Sequence, residues 1–285
     1  MTTPSFPATS RTVVVTGCSS GIGLATAVEL ARAGWTVVAT LRDPRRGDAL
    51  RAAVREAGLT VDVAELDVTD DASVAACLSG VVARHGHLDA LVNNAGQGHL
   101  GTLEQEELAA FTAVIDLNLV GTARVTRAAL PLLRASAGRV VSVTSVGGVV
   151  GQPFNEAYCA AKFGVEGLME SLAPLAASVG VHVAVVEPGA VASAFVANVG
   201  VENSALAANP GPYAPALAAY RQRTAAAFAA AQEPVDVAAV VRRALEDPHP
   251  LFRYPTSAGS AALTAVKLAD TDGQAVQAFT RGWLH

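Results

Sequence analysis

The sequence predicts an α/β fold, a doubly wound parallel sheet of about seven strands with helices on both faces. Short β-branched apolar runs recur along the chain, helical segments separate them, and a glycine-rich turn joins the first run to the first helix. Runs that are apolar throughout, rather than alternating, mark strands covered on both faces. Residues 12–16 form the first such run, and a helical pattern follows at 22–33. Strands are then predicted at 36–40, 60–66, 88–92, 139–143 and 181–186, with helices at 48–57, 72–83, 106–133 and 157–178 between them. Right-handed crossovers complete the topology. After Pro188-Gly189 the rhythm breaks. Residues 190–233 are Ala-rich, interrupted by Pro210, Pro212 and Pro215, and show no strand pattern. An excursion of that length beyond the carboxyl end of a strand is expected to be a lid. A helix at 234–245 and a last strand at 251–254 follow, and 255–285 reads as a C-terminal tail. With 1–10 as a flexible polar leader, residues 11–285 are expected to form a single domain.

Bulk properties narrow the function. Of the 285 residues, 51% are hydrophobic and 16% charged, with a net charge of −5 and both signs scattered. No basic stripe is available to follow a phosphate backbone, so nucleic acid is not an expected partner. Cys18, Cys77 and Cys159 are widely separated, with no CxxC pair, which suggests reduced thiols and no metal site. The first ten residues lack a basic region followed by an apolar one, and no apolar stretch approaches the ~20 residues of a membrane span. A cytoplasmic location is the expectation.

Two constellations carry chemistry. The first is the turn Thr16-Gly17-Cys18-Ser19-Ser20-Gly21-Ile22-Gly23. Glycines there let the backbone approach a pyrophosphate, and the helix beyond offers unsatisfied N–H groups. The dinucleotide is then chosen at the end of the second strand. A carboxylate there would bind an adenosine 2′-hydroxyl, whereas a cation would receive a 2′-phosphate. Leu41 stands at that position and Arg42 follows, favouring NADP(H) over NAD(H); Asp43 could turn to a ribose, cap the next helix, or pair with Arg45 or Arg46. Asp67 and Val68, ending the third strand, are placed to bracket adenine, although Asp67 could cap the following helix. The second constellation is Ser145, Tyr158 and Lys162. Tyr158 and Lys162 share a helix face at a spacing of four, and Ser145 ends the preceding strand. A hydroxyl, a phenol and an ammonium around one point suit hydride chemistry on a carbonyl. The ammonium is expected to lower the phenol's pKa from its usual value near 10.

Gly17-xxx-Gly21-x-Gly23, Asn93-Asn94-Ala95-Gly96, Ser145, Tyr158-xxx-Lys162 and Glu187-Pro188-Gly189, in this order, strongly resemble the classical short-chain dehydrogenase/reductase family, over nearly all of 12–245. Local detail, including Pro153-Phe154-Asn155-Glu156-Ala157-Tyr158, is similar to the branch of 17β-hydroxysteroid and retinol dehydrogenases. The resemblance implies a single-domain Rossmann fold and an oxidoreductase interconverting a ketone or aldehyde and an alcohol. Tyr158 is then the acid/base, Ser145 the substrate's hydrogen-bond donor, and Asn118 the fourth catalytic residue, its side chain holding a water relay to Lys162. Lys162 would also bond the nicotinamide ribose. The resemblance further implies Asn93 beside the cofactor, with Ala95 and Gly96, and Asn94 mostly structural. It brings Pro188, Gly189, Val191 and Ser193 to the carboxamide end. Val146, Val149, Phe154, Phe195 and Val196, with Leu206 and Tyr213 in the lid, are expected to line a site for a hydrophobic substrate, steroid-, retinoid- or polyketide-like. A homodimer or homotetramer through helices 106–133 and 157–178 is implied as well. An NAD-dependent alcohol dehydrogenase and a non-catalytic NADP-binding sensor remain the alternative readings.

Overall fold

Alternate residues of the first strand enter opposite cores. In the computed structural model, which describes residues 11–193 and 205–283, β1 (Thr12–Val15) sends Val13 and Val15 to one face and Val14 to the other. All are fully buried, as period-two side chains must be in a sheet covered on both sides. The glycine turn leads to α1 (Gly21–Arg32), then β2 (Thr36–Leu41), α2 (Asp48–Glu56), β3 (Asp62–Glu65) and α3 (Asp71–His85). After β4 (Ala90–Asn93), α4 (Leu108–Ile115) runs through a π-helical segment at Asp116–Val120 into α5 (Gly121–Ser136), so the single helix expected at 106–133 carries a widened turn. Then come β5 (Arg139–Val143), α6 (Glu156–Ala177) and β6 (His182–Glu187).

Every neighbouring pair in the sheet is parallel, in the order β3-β2-β1-β4-β5-β6-β7, with β7 at Arg253–Pro255. The seven strands are those the sequence predicts, with ends shifted by no more than two residues in either direction. One core packs α1, α2 and Val237, Val241 and Leu245 against the sheet; the other packs Val74, Leu78 and Val81 of α3, Val125, Ala129 and Leu133 of α5, and Val165 and Met169 of α6. The continuous helix Leu108–Ser136 is long and apolar enough to cross a membrane by length and composition, which the sequence reading did not anticipate. Val125, Ala129 and Leu133 instead place its second half against the sheet. Edge strand β3 is only partly buried and carries Asp62 and Glu65, charges that discourage pairing with another edge.

Between β6 and β7 lie α7 (Ala205–Ala208), α8 (Ala214–Ala229) and α9 (Pro234–Glu246). The segment after β7 is not a tail. It folds into α10 (Ala258–Ala269) and α11 (Gln274–Arg281). A third apolar cluster joins Leu100, Phe154, Leu206, Leu217, Tyr220 and Trp283 over the carboxyl ends of the strands. The three cysteines are buried free thiols.

Candidate active site

β1 and β4 are neighbours, yet the chain leaves β1 toward β2 on one side and β4 toward β5 on the other. A crevice opens at the carboxyl ends of strands where the order reverses in this way. A cavity of about 1810 Å³ occupies that place, lined by the glycine turn, the ends of β2 to β6, and α8, α10 and α11.

The turn is shaped by backbone contact. Gly17 has φ +73°, and a Cβ there would lie 2.8 Å from Ala95 Cα; a Cβ on Gly23 would meet Gly17 O at 2.3 Å. Gly23 therefore seats α1 against the turn and does not itself line the cavity, while Gly17, Ser19, Ser20, Gly21 and Ile22 do. Asn94 Nδ2 donates to Thr16 O and Gly17 O, holding the turn to the end of β4. The expectation for Asn93 is thus corrected, while Asn94 has a structural role and also borders the cavity. Asn93 is 4% exposed and spends Nδ2 on Thr126 and Ser142 inside the sheet, whereas Asn94, Ala95 and Gly96 face the cavity.

At the end of β2, Leu41 packs into the core while bordering the cavity, and Arg42 and Arg46 line it beside Leu41. Asp43 is committed elsewhere. Its carboxylate accepts from both Arg45 Nε and Arg45 Nη2 and caps the turn at Arg45 N, bonds that hold its pKa below the usual carboxylate range. Asp67 accepts from Thr69 N and Thr69 Oγ1, while Asp70 caps α3. Burial raises its pKa, but those bonds and the charges of Arg42 and Arg124 bring it below the ordinary value. Asp67 and Val68 both line the cavity. Glycines that admit no side chain, a helix N-terminus behind them, and a cationic rim at β2 together fit a dinucleotide.

On the cavity floor, Ser145, Tyr158 and Lys162 come together as their spacing predicts. Ser145 and Tyr158 share a side-chain hydrogen bond, and Ser145 Oγ also accepts from Gly147 N, which fixes the hydroxyl. Lys162 Nζ lies 5.8 Å from the Tyr158 ring centroid and donates to Val143 O at 3.0 Å. The electrostatics correct the sequence reading. Burial pushes the Tyr158 phenol up to about 12, outweighing the bond from Ser145. Burial also brings Lys162 down to about 8, against the pull of Glu166 one turn on. Desolvation outweighs the Ser145 bond, and the phenol keeps its proton at neutral pH.

Asn118 is 1% exposed in the π-helical segment and lies behind the cavity wall. Its Nδ2 donates to Gln97 O and Val114 O, and its Oδ1 accepts from Gln97 N. Both amide hydrogens are therefore spent on backbone, and the side chain clamps the loop after β4. A Cβ on Gly96 would stand 2.6 Å from Asn118 Oδ1, so the loop packs on the asparagine without clearance.

Of the expected substrate wall, Val146 lines the cavity, joined by Val150. Val149 and Phe154 are buried behind it. Phe154 adopts φ 62°, and its ring packs 5.3 Å from that of Tyr220. Leu206 and Tyr213 pack with the third cluster rather than on the cavity. Phe195 and Val196 lie outside the described residues. Pro188, Gly189, Val191 and Ser193 all border the cavity, and Ser193 Cβ would lie 3.3 Å from a Cβ on Gly21.

Several lining residues were invisible in the sequence. Gln232 pairs with Ala190 and Ala192 through its backbone and with Thr256 through its amide, binding the segment after β6 to the start of α10. Asn155 donates to Tyr220 Oη at 2.6 Å, tying α8 to the N-terminus of α6. Ser257 caps α10 through Ser260 N, and both serines reach the cavity. The Gln232 and Asn155 contacts have no local sequence signature, since each joins segments far apart in the chain.

The short chain dehydrogenase family model matches residues 11–204. Human 17-beta-hydroxysteroid dehydrogenase type 1 is 42% identical over 275 residues, covering 93% of this chain and 83% of that protein. Human retinol dehydrogenase 8 is 39% identical over 275 residues, covering 93% and 88%. The structure of a metagenomic short-chain oxidoreductase in complex with NADP superposes with a TM-score of 0.67 at 30% identity, covering 86% of this chain and 96% of that one. By name, these matches are all dehydrogenases or oxidoreductases. The chain is a member of the short-chain dehydrogenase/reductase family, an oxidoreductase related to the hydroxysteroid and retinol dehydrogenases.

Proposed function

We propose that the protein uses NADP(H) to interconvert a ketone or aldehyde and an alcohol on a hydrophobic substrate, steroid-, retinoid- or polyketide-like, with Tyr158 as the acid/base. The carrying observation is the hydrogen-bonded Ser145–Tyr158 pair beside Lys162, on the floor of a cavity that also receives the glycine turn. A bound nicotinamide would supply or accept the hydride. Gly17, Ser19, Ser20, Gly21 and Ile22 would hold its pyrophosphate, and Pro188, Gly189, Val191 and Ser193 its carboxamide end.

Ser145 Oγ–H donates to the carbonyl oxygen as negative charge develops there, an interaction strongest in the transition state. Tyr158 then delivers its phenolic proton to that oxygen. A phenol near 12 holds this proton at neutral pH and acts as an acid. Lys162, when protonated, stabilises the tyrosinate left behind, and the Val143 carbonyl fixes its position. In the oxidative direction the same atoms run in reverse, and the buried phenol is the harder group to deprotonate. Asn118 supports this set by holding the loop at Gly96 rather than by touching reacting atoms.

NADP(H) is favoured because Leu41 replaces a ribose-binding carboxylate, Asp43 is tied to Arg45, and Arg42 and Arg46 border the cavity. The apolar Val146, Val150 and Leu263 favour a bulky, water-poor substrate. NADPH oxidation over a panel of steroid, retinoid and aromatic ketones tests the reading. Turnover with NADPH exceeding that with NADH is expected. NADPH binding without turnover across the panel would instead favour a sensor, and preference for NAD⁺ with alcohols would favour the oxidising alternative.

A further inference from the structure

A buried ammonium needs a counter-charge, and the reaction above names none for Lys162. Lys162 is 6% exposed, and the bond that fixes its Nζ goes to the uncharged carbonyl of Val143 on β5. From the loop after β4, Gly96 packs against it: an added Cβ there would stand 3.7 Å from Nζ and 2.6 Å from the neutral amide oxygen of Asn118. On α6 itself, Tyr158 stands one turn before the lysine and Glu166 one turn after. Glu166 is the carboxylate whose charge acts on the ammonium.

That carboxylate is itself held in place. Glu166 is as buried as the lysine, and its Oε2 accepts from Arg253 Nη1 of β7, which also donates to Glu187 Oε1 of β6. Glu187 is fully buried and accepts from Thr264 of α10 on its other oxygen. Glu170 reaches Arg253 from the surface, where water screens its charge. Two buried carboxylates therefore face one arginine, and Arg253 alone leaves one negative charge over. A protonated Lys162 supplies the balance, so the buried set is neutral only while the lysine is an ammonium. Packing fixes the arrangement. A Cβ on Gly148 would lie 3.0 Å from Lys162 O and 3.1 Å from Glu166 Cγ, so the turn that follows Ser145 rests on the stretch of helix between the two.

Resting on the oxidoreductase reading, we propose that Glu166 is a positioning residue for that reaction: held by Arg253, its carboxylate keeps Lys162 in the ammonium form that steadies the Tyr158 tyrosinate. Glu166 does not line the cavity and acts through the lysine. Burial brings Lys162 down to about 8, and Glu166 is the charge that opposes the fall. Without it the ammonium is lost nearer neutrality. Burial pushes the Glu166 carboxyl up, and the Arg253 guanidinium pulls it back.

The chain has two lysines, Lys162 and Lys267, so NMR of protein labelled with carbon-13 at lysine Cε follows Lys162 directly, with Lys267 as internal reference. In Glu166→Gln, which keeps a side-chain oxygen for Arg253, the Lys162 midpoint should fall by about one pH unit or more, a loss of about tenfold in proton affinity. Glu166→Asp, whose carboxylate is drawn back by one methylene, should give a smaller fall. The decline of reductive kcat with rising pH should move down with the midpoint in each variant, and well below that midpoint kcat should approach the wild-type value. A merely structural role would lower kcat at every pH and leave the lysine's titration in place. Circular dichroism and thermal melting show whether each variant is folded; should Glu166→Gln not fold, Glu166→Asp carries the test. The proposal is overturned if Lys162 keeps its wild-type midpoint in the folded variants, as it would were Glu166 itself to hold the balancing proton. It is overturned equally if the midpoint falls while the kcat profile stays. Absence of wild-type turnover across the ketone panel sinks the oxidoreductase reading and the positioning role with it, and the lysine titration then still decides whether Glu166 holds the Lys162 proton.

Discussion

Tyr158 and Lys162 are each buried against the sheet, and burial moves them in opposite directions, the phenol up to about 12 and the ammonium down to about 8. In the proposed mechanism the proton donor is thus secure near neutrality, while the cation that would steady the tyrosinate is the group that titrates. Below about 8 Lys162 is charged, and above it the charge is lost. Reductive kcat should therefore hold steady on the acid side and decline as pH rises through about 8. In Lys162→Arg, which stays charged, any residual activity should lose that decline. A pH–rate profile checks both, and a rate rising through the same region would contradict the assignment. At the cofactor's far end, Leu41→Asp should shift the NADPH:NADH ratio of kcat/KM toward NADH by about tenfold or more, since a carboxylate repels a 2′-phosphate and accepts from a 2′-hydroxyl. An unchanged ratio would remove Leu41 from the cofactor's recognition. The spacing of Tyr158 and Lys162 was legible because a helix makes four-residue neighbours. Asp43 was not, because its choice between a ribose and Arg45 is decided by the tight turn after β2. Nor was the Tyr158 pKa, which depends on desolvation by distant segments.

At the scale of elements, β7 is fastened by charge. Arg253 pairs with Glu166 and Glu170 of α6 and with Glu187 at the end of β6, and Glu187 also accepts from Thr264 of α10. Glu187 is fully buried and Glu166 is 5% exposed; burial pushes the Glu166 carboxyl up, despite the charge of Arg253. This cluster ties α6, the strand leading to Pro188-Gly189 and α10 into one unit. Arg253→Met leaves buried carboxylates uncompensated and should cost about 3–5 kcal/mol. Denaturant unfolding of the variant beside the wild type measures the loss, and a change under about 1 kcal/mol would show that the cluster does not fasten β7. The strands and the helices up to α6 were readable because their apolar residues recur with a clear period. α10 escaped because its buried positions are Ser260 and Thr264 while Leu268 is exposed, so no apolar stripe marks its inner face. The single helix expected at 106–133 likewise concealed the π-helical turn, which no local residue pattern announces.

For the whole molecule, the parallel order β3-β2-β1-β4-β5-β6-β7 brings the glycine turn and the Ser145–Tyr158–Lys162 floor to one crevice, although they lie far apart in the sequence. The alternation of strands and helices made that crevice predictable. Its far wall was not, because α8, α10 and α11 come from segments read as an excursion and a tail. The cavity thus has one side readable from sequence, at the glycine turn and the ends of β2 and β3, and a far side that only packing reveals. The central claim joins the two sides through one phenol. It is tested most directly by Tyr158→Phe, which removes one oxygen from a fully packed ring. NADPH oxidation with the best ketone of the panel should fall by about 100-fold or more, the scale of a lost general acid, with NADPH affinity and thermal midpoint unchanged. Near-wild-type turnover in a correctly folded variant would contradict the mechanism.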